Sequence, residues 1–217
     1  MWTPDHFAAT DPSWDAQLIT EHPFGLLVSC ASGVPVATHL PMLIHPEDRD
    51  RADAGLAGVR VLGHLARLNP QWRRITDGDP VLLIFTGPHG YVSPTQYADQ
   101  PAAPTWNYTA VHLTGPIRLL HDEPDLLRVI DATIDTTERG RDPEWDREPS
   151  RDYIAKIISG VVAFEVTVEH VASSFKLSQD QPEHRRAAVT EQALGSPDES
   201  RRRLGDWMRR AARHRDP

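Results

Sequence analysis

The chain has 217 residues, with 23 basic and 31 acidic side chains and a formal net charge of −8. Hydrophobic residues make up 39% and charged residues 25%, which is typical of a folded protein and excludes collagen-like and disordered chains. No apolar run approaches the roughly 20 residues of a membrane-spanning helix, and Met1–Asp5 lacks the pattern of a signal peptide. A single cysteine, Cys30, excludes an internal disulfide, so we expect a cytoplasmic protein in which this thiol is a small buried side chain.

The acidic net charge also argues against nucleic-acid binding, because phosphate contacts require a basic surplus. The exception is the end of the chain, where residues 198–217 contain seven arginines and four acidic residues. A charged, solvated helix has the same composition. We therefore predict a main domain over residues 1–195 and a charged helix or tail over residues 196–217 that is dispensable for chemistry.

The first part of the sequence predicts a helix, a hairpin, a third strand and a second helix, because apolar runs alternate with proline, glycine and asparagine signals. In chain order these are a helix from Asp11 or Ser13 to Glu21, strands over residues 24–30 and 34–44 around a turn at residues 31–33, a strand over Val59–Ala66, and a helix from Asn69 to Gly78.

The second part predicts further strands and four helices. In chain order these are a buried strand Pro80–Thr86, a turn Gly87–Gly90, a short strand Tyr91–Pro94, a strand Tyr108–Leu119, helices Glu123–Glu138 and Pro149–Ser159, a long strand Gly160–Val171, and charged helices Glu183–Leu194 and Glu199–Arg213. Six or seven strands joined mostly by hairpins indicate a mainly β protein, an antiparallel barrel with peripheral helices.

His64 is the most informative single residue. It lies in an otherwise apolar strand directly after Gly63, which leaves room for a close approach to the backbone. A neutral imidazole is a good iron ligand, and apolar surroundings disfavour its protonation. A core or interface histidine bonded to a carbonyl has the same pattern, so the residues alone leave both interpretations open.

Other polar and aromatic residues cluster where predicted strands end, which is typical of a ligand pocket at the mouth of a barrel. Arg67 could pair with a carboxylate or phosphate, although surface arginines are common. Trp72 and Trp106 could stack on a planar ligand, although aromatic rings more often only pack. Lys176 could bind an anionic group or be merely solvated. Further histidines that could line the same pocket are His39, His89 and His112.

Six motifs follow one another over most of the chain. They are Ala37-Thr-His-Leu-Pro41, Gly63-His-Leu-Ala-Arg67 continuing to Asn69-Pro-Gln-Trp72, Phe85-Thr-Gly-Pro88, Tyr91-Val-Ser-Pro94, Pro104-Thr-Trp-Asn-Tyr108 and Lys176-Leu-Ser-Gln179. Together they resemble the PaiB-like family, whose members are usually called FMN-binding negative transcriptional regulators. The resemblance extends from Met1 to about Arg186.

This resemblance implies a split β-barrel of the flavin-reductase and pyridoxamine-oxidase type, in general a homodimer with cofactor sites between its subunits. Some barrels of this type bind FMN and others bind haem. Within the PaiB-like family, the piperazate synthases use haem to join two nitrogens of N5-hydroxy-L-ornithine and so close the ring of L-piperazic acid.

Three functions are therefore compatible with the sequence: a haem-dependent cyclase, an FMN-binding oxidoreductase or flavin-binding protein, and a transcriptional regulator or other binding protein without chemistry. The acidic charge and the lack of a helix-turn-helix pattern argue against the third. FMN requires a phosphate site, for which the sequence offers few candidates, namely Thr38, Arg67 and either Arg73 or Arg74. Haem requires an axial ligand, apolar walls and a basic group, so haem b is the preferred cofactor and FMN the alternative.

The sequence also assigns a role to each site residue in the haem enzyme. His64 is the axial iron ligand, and Arg67 holds a haem propionate or the substrate carboxylate. Thr38, Trp72 and Trp106 complete the cofactor site. Protons are moved by His39, His89 or Lys176, among which the sequence does not choose.

Overall fold

The computed structural model describes residues 1–31, 33–97 and 99–213, and within them the chain forms seven strands and six α-helices. The strands are β1 (Phe24–Ser29), β2 (Val36–Ile44), β3 (Arg60–Ala66), β4 (Pro80–Val92), β5 (Thr105–Leu120), β6 (Val161–Thr167) and β7 (His170–Lys176). The helices are α1 (Ser13–Glu21), α2 (Arg49–Ala52), α3 (Glu123–Glu138), α4 (Arg151–Ile157), α5 (Glu183–Leu194) and α6 (Glu199–Arg213).

The strands form a closed antiparallel barrel. Their order in the sheet is β4-β1-β2-β3-β6-β5-β7, and β4 also pairs with β5, which joins six strands into a ring. The long strand β5 changes partners along its length. Its residues 108–114 pair with β7, and its residues 117–120 pair with β6. The antiparallel barrel with peripheral helices predicted from the sequence is confirmed.

Two hydrophobic clusters hold the helices against the barrel. The larger fills the barrel and continues to α1 and α6, with Phe85, Phe164 and Phe175 fully buried in it. The smaller lies on the outer surface of β3 and β6, where Leu62 and Ala163 pack under α3. Helix α3 begins and ends at the residues predicted from its apolar spacing.

Helix α6 has the predicted bounds but not the predicted environment. Leu204, Trp207, Met208 and Ala211 are each at most 4% exposed and belong to the larger cluster. Their spacing of three and four residues gives the helix one apolar side. The prediction of a solvated helix is therefore wrong, because the arginines that dominate its composition lie on the other side. Residues 214–217 of the predicted tail lie outside the described residues.

The predicted turn at residues 87–90 is also wrong, because β4 continues through it with a shift in register between Thr86 and His89. Gly87 is required there for packing rather than for a turn. A Cβ atom at this position would lie 2.3 Å from Oγ1 of Thr109 and 2.8 Å from Leu18. Conversely, the predicted long strand over residues 160–171 is two strands, since β6 ends at Thr167 and β7 begins with a different partner.

Three local predictions also differ from the structure. The helix expected from Asn69 to Gly78 is only a 3-10 turn over Trp72–Arg74. Cys30 is exposed rather than buried, because it lies just beyond the last residue of β1. Ser32, at the centre of the predicted hairpin turn, lies outside the described residues. None of the described helices combines the length and apolar character that would allow it to span a bilayer.

A partly buried ion pair fixes the start of β3 to the preceding loop. The Asp48 carboxylate accepts hydrogen bonds from the Arg60 backbone N–H, at 2.9 Å, and from its Nε, at 2.8 Å. These bonds lower the pKa of Asp48 from 3.8 to about 2. Since the folded pKa is the lower one, the stabilisation is present above pH 3.8 and is lost as the pH falls toward 2.

We expect Asp48→Asn to lower the free energy of unfolding at pH 7 by about 2 kcal/mol, measured by urea denaturation. The variant should also lose less stability than the parent between pH 4 and pH 2. Glu47→Gln is the matched control, because Glu47 pairs with the same Arg60 but is exposed. Equal effects of the two substitutions would contradict this assignment.

Candidate functional site

His64 lies on the outer face of β3, on the same side as Leu62 and opposite Ala163 of β6. Its side chain is half-buried, and its Nδ1 atom is buried without a hydrogen-bond partner among the described residues. Burial lowers the pKa of His64, so its imidazole is neutral at pH 7. A buried nitrogen without a partner costs about 1–3 kcal/mol, and such groups call for an explanation, such as a bound water, an ion or a functional role.

The barrel begins to open beside His64. The ladder between β2 and β3 ends at the pair Met42 and Gly63, because the next residue of β2 is Pro41, which has no N–H to donate. The space expected beside Gly63 is not free on the inner face. A Cβ atom there would lie 2.5 Å from the Phe164 ring. Any ligand must therefore approach His64 from the outer face.

Two further side chains of this outer face lie next to Pro41. Phe24 of β1 is directly opposite Pro41, and its ring stacks on His39 with centroids 5.9 Å apart and planes inclined by 20°. We call Phe24, His39, Pro41 and His64 the His64 patch. Phe24 is absent from the residues predicted for the site, because its neighbours become visible only with the strand register.

Polar side chains tie the end of this hairpin to the loop after β3. The Gln71 amide is buried, and its two N–H groups are shared among three acceptors, Leu27 O, Ser29 Oγ and Val36 O, each 3.1 Å from Nε2. The Thr38 hydroxyl donates to Gln71 Oε1 at 2.5 Å and accepts from Asn69 at 2.9 Å. Thr38, predicted to bind the cofactor, therefore already uses its donor inside the protein.

We expect Gln71→Leu to lower the free energy of unfolding by about 3 kcal/mol, because it leaves the buried carbonyls of β1 and β2 without a donor. Chemical denaturation at pH 7 measures this. Gln192→Leu, at an exposed glutamine of α5, should change stability by less than about 0.5 kcal/mol. A loss below about 1 kcal/mol for Gln71→Leu would show that water replaces the lost donor.

Arg67 and Trp72 lie at the end of β3 and also have protein partners. The Arg67 guanidinium donates to Ser159 O at 2.6 Å and to Val161 O at 2.8 Å, and so holds the segment that leads into β6. Trp72 donates its indole N–H to Arg67 O at 2.9 Å. The Arg73 guanidinium lies 5.1 Å from the centre of the Trp72 ring.

A second group of predicted residues lies on β4, β5 and β7. Trp106 stacks on His89, with ring centroids 5.9 Å apart, and lies 6.1 Å from Tyr91. The Lys176 ammonium donates to Thr105 Oγ1 at 2.7 Å. We call His89, Tyr91, Trp106 and Lys176 the Trp106 patch.

The motif residues that follow Lys176 form buried hydrogen bonds behind the Trp106 patch. Asn107 is fully buried and donates to Ser178 Oγ at 2.8 Å. Gln179 accepts from the Leu177 backbone N–H at 2.6 Å and donates to Phe175 O. Two of the six motifs thus meet in one buried network that ties β5 to the end of β7.

One chain does not bring the two patches together. In the ring β6 lies between β3 and β5, but Ala163, the β6 residue opposite His64, pairs with Leu120 of β5, which is 120 − 106 = 14 residues from Trp106. At about 3.3 Å per residue this is roughly 46 Å along β5. Five surface clefts among the described residues have volumes of 200 to 880 Å³, and none of these five is lined by His64 or Trp106. The described residues also contain no group of three His, Cys, Asp or Glu side chains placed to bind a metal.

Comparison with known proteins identifies the family of the chain. Residues 1–170 match the family described as "Putative FMN-binding domain". The chain is 30% identical over 210 residues to "Protease synthase and sporulation protein PAI 2" of Bacillus subtilis, covering 96% of each protein. The chain belongs to the PaiB-like family. This PaiB-like chain is also 28% identical to an uncharacterised protein of Aspergillus fumigatus, over 81% of the chain and 84% of that protein.

Solved structures share the fold of this PaiB-like barrel. The FAD and heme binding protein from Mycobacterium smegmatis matches with a TM-score of 0.56 and 18% identity, over 83% of this chain and 78% of that one. The flavocytochrome Anf3 from Azotobacter vinelandii matches with a TM-score of 0.55 and 18% identity, over 80% and 72%. The predicted split β-barrel of the flavin-reductase and pyridoxamine-oxidase type is confirmed.

Proposed function

We propose that this PaiB-like protein is a haem-dependent enzyme that forms an N–N bond by cyclising N5-hydroxy-L-ornithine to L-piperazic acid. The observation that carries the proposal is His64, a neutral imidazole with a buried unpaired nitrogen on the outer face of the barrel. Its neighbours Pro41 and Ala163 carry no side-chain ligand atom. One imidazole in apolar surroundings suits an iron ion whose other ligands come from a macrocycle.

Haem b fits this surface better than FMN does. A flavin phosphate requires free donors, but two of the predicted candidates already have protein partners, since the Thr38 hydroxyl donates to Gln71 and the Arg67 guanidinium to two backbone carbonyls. Haem requires less of the protein, namely an axial ligand and apolar support. The two structural neighbours named above are themselves described as binding heme and FAD or as a flavocytochrome, and their likeness to this chain supports a cofactor of one of these kinds.

In the proposed reaction the N–O bond of the substrate breaks and an N–N bond forms between its two nitrogens. The leaving oxygen takes up a proton, the attacking α-amine gives one up, and water is released without net oxidation. Haem iron supplies a Lewis acid for the hydroxylamine group. His64 would hold the iron, and His39 in the same patch would move a proton. Binding both nitrogens in one oriented substrate removes much of the entropic cost of the attack.

Lys176 and Trp106 join this site only if a second subunit supplies them, so we propose a homodimer. The outer face between the two patches is unusually apolar for a solvated sheet. Its half-buried residues are Leu26, Val28, Leu82 and Ile84. A face of this kind marks an interaction surface, and a two-fold axis would place the His64 patch of one subunit near the Trp106 patch of its partner.

We expect light scattering to report a dimer at micromolar concentration with cofactor bound. Ile84→Arg should give monomers, because it places a charge in the centre of the apolar face. Ala57→Arg, in an exposed loop, is the control that should remain dimeric. A cofactor-loaded monomer of the unaltered protein would contradict the proposal.

Reconstitution tests the function itself. The purified protein is titrated with haemin and, separately, with FMN, and the loaded protein is incubated with N5-hydroxy-L-ornithine. We expect a Soret band with haemin and a product lighter than the substrate by one water in mass spectrometry. Binding of FMN alone, with no product, would favour the alternative of an FMN-binding oxidoreductase or flavin-binding protein, which the family description supports. A protein that binds neither would leave the regulator as the remaining function.

A further inference from the structure

Phe24 is a large apolar side chain that the fold leaves in solvent. It is 64% exposed at the first position of β1, although the strand buries the alternate residues Gly25, Leu27 and Ser29. The ring is held in place nonetheless. It stacks on the His39 imidazole on one side, and the strand pairing fixes its backbone opposite Pro41.

The position of this ring relative to His64 follows from the register. Phe24 pairs with Pro41, and Pro41 precedes Met42, which pairs with the residue before His64. Phe24, Pro41 and His64 therefore lie in one row across three neighbouring strands, all on the outer face. Two inter-strand spacings separate the first from the last, which is about 10 Å at the backbone. A tetrapyrrole or isoalloxazine ring system is wide enough to span that row.

We propose that Phe24 is a positioning residue for the planar cofactor, forming with Pro41 an apolar ledge that supports it beside His64. This inference rests on the proposed function, since it takes His64 as the attachment point. Aromatic rings contribute contact area and stacking with a small loss of side-chain entropy. The ledge thus supplies the apolar wall that a cofactor held by a single imidazole otherwise lacks.

The test compares cofactor binding by Phe24→Ala, Phe24→Leu and Trp145→Ala with that of the unaltered protein. Trp145 is also an exposed aromatic side chain, 42% accessible, and it lies in the loop after α3. Each protein is titrated with haemin and, separately, with FMN, and absorption spectra and thermal unfolding are recorded. We expect Phe24→Ala to bind about tenfold more weakly and to shift the absorption maximum of the bound cofactor. Phe24→Leu should be intermediate and Trp145→Ala unchanged.

The melting temperature separates support of the cofactor from support of the fold. Because Phe24 is exposed, its replacement should leave the melting temperature of the cofactor-free protein unchanged. Binding by Phe24→Ala within twofold of the unaltered protein, with an unshifted spectrum, would overturn the inference. If the unaltered protein binds FMN but not haemin, and Phe24→Ala weakens that binding, the haem proposal fails while the ledge stands. If it binds neither, both fail.

Discussion

Replacing His64 with alanine is expected to abolish stable haem binding and ring closure while the fold survives. The imidazole is half-buried on the outer face, so its removal leaves the barrel interior intact. It also removes a buried nitrogen without a partner, which offsets the packing lost. We therefore expect a far-ultraviolet circular dichroism spectrum like that of the unaltered protein, together with a lost or strongly shifted Soret band and no detectable product.

His22→Ala is the matched control for this experiment. His22 is also half-buried, has a buried nitrogen without a partner among the described residues, and has a pKa lowered by burial. It lies at the end of α1 rather than in the His64 patch. The control should retain haem and turnover. An unchanged Soret band in His64→Ala would show that another group binds the iron.

Ending the chain after Gly195 is expected to abolish stable folding. The deletion removes α6, and with it the Trp207 ring, which packs edge-on against Trp14 at 5.6 Å and lies 5.2 Å from Phe175. Removing a buried tryptophan side chain alone costs about 3–5 kcal/mol. The loss of Leu204 and Met208 adds to this, and the sum reaches the whole stability of a typical domain, about 5–15 kcal/mol.

Single substitutions in α6 test the same point in a chain that still folds. We expect Trp207→Ala to lower the free energy of unfolding by about 4 kcal/mol, and Arg203→Ala, at the exposed pair with Glu199, by less than about 0.5 kcal/mol. Urea denaturation measures both. A truncated protein that melts like the full chain would restore the prediction of a dispensable tail.

The spacing of apolar residues in the sequence was sufficient to predict the bounds of helices that pack through one face. Helices α3, α5 and α6 begin and end at the predicted residues. The burial of α6 was missed because arginines dominate its composition, although the spacing of Leu204, Trp207, Met208 and Ala211 carried the signal. A glycine in the sequence can indicate either a turn or a close contact. Gly87 predicted a turn by its residue type, but in the structure it allows close packing against Thr109.

The candidate site was less predictable because its geometry depends on contacts between distant segments. His64 could be selected as an imidazole in an apolar strand, and burial lowers its pKa as expected. The hydrogen bonds that engage Thr38 and Arg67 come from residues 31 to 94 positions away and leave no local pattern. The separation of His64 from Trp106 likewise follows from where β6 pairs along β5, which the sequence does not encode locally.

The hydrogen bonds that motif residues make inside the protein affect how its relatives can be classified by function. Thr38, Gln71, Asn107, Ser178 and Gln179 all belong to the six ordered motifs, and each makes hydrogen bonds within the protein. A genome search that relies on these five positions therefore selects for the scaffold, whatever reaction it supports. Outward-facing positions such as 24, 39 and 64 are the ones at which haem-binding and flavin-binding members should diverge, so comparing those three columns is a direct way to divide the family by chemistry.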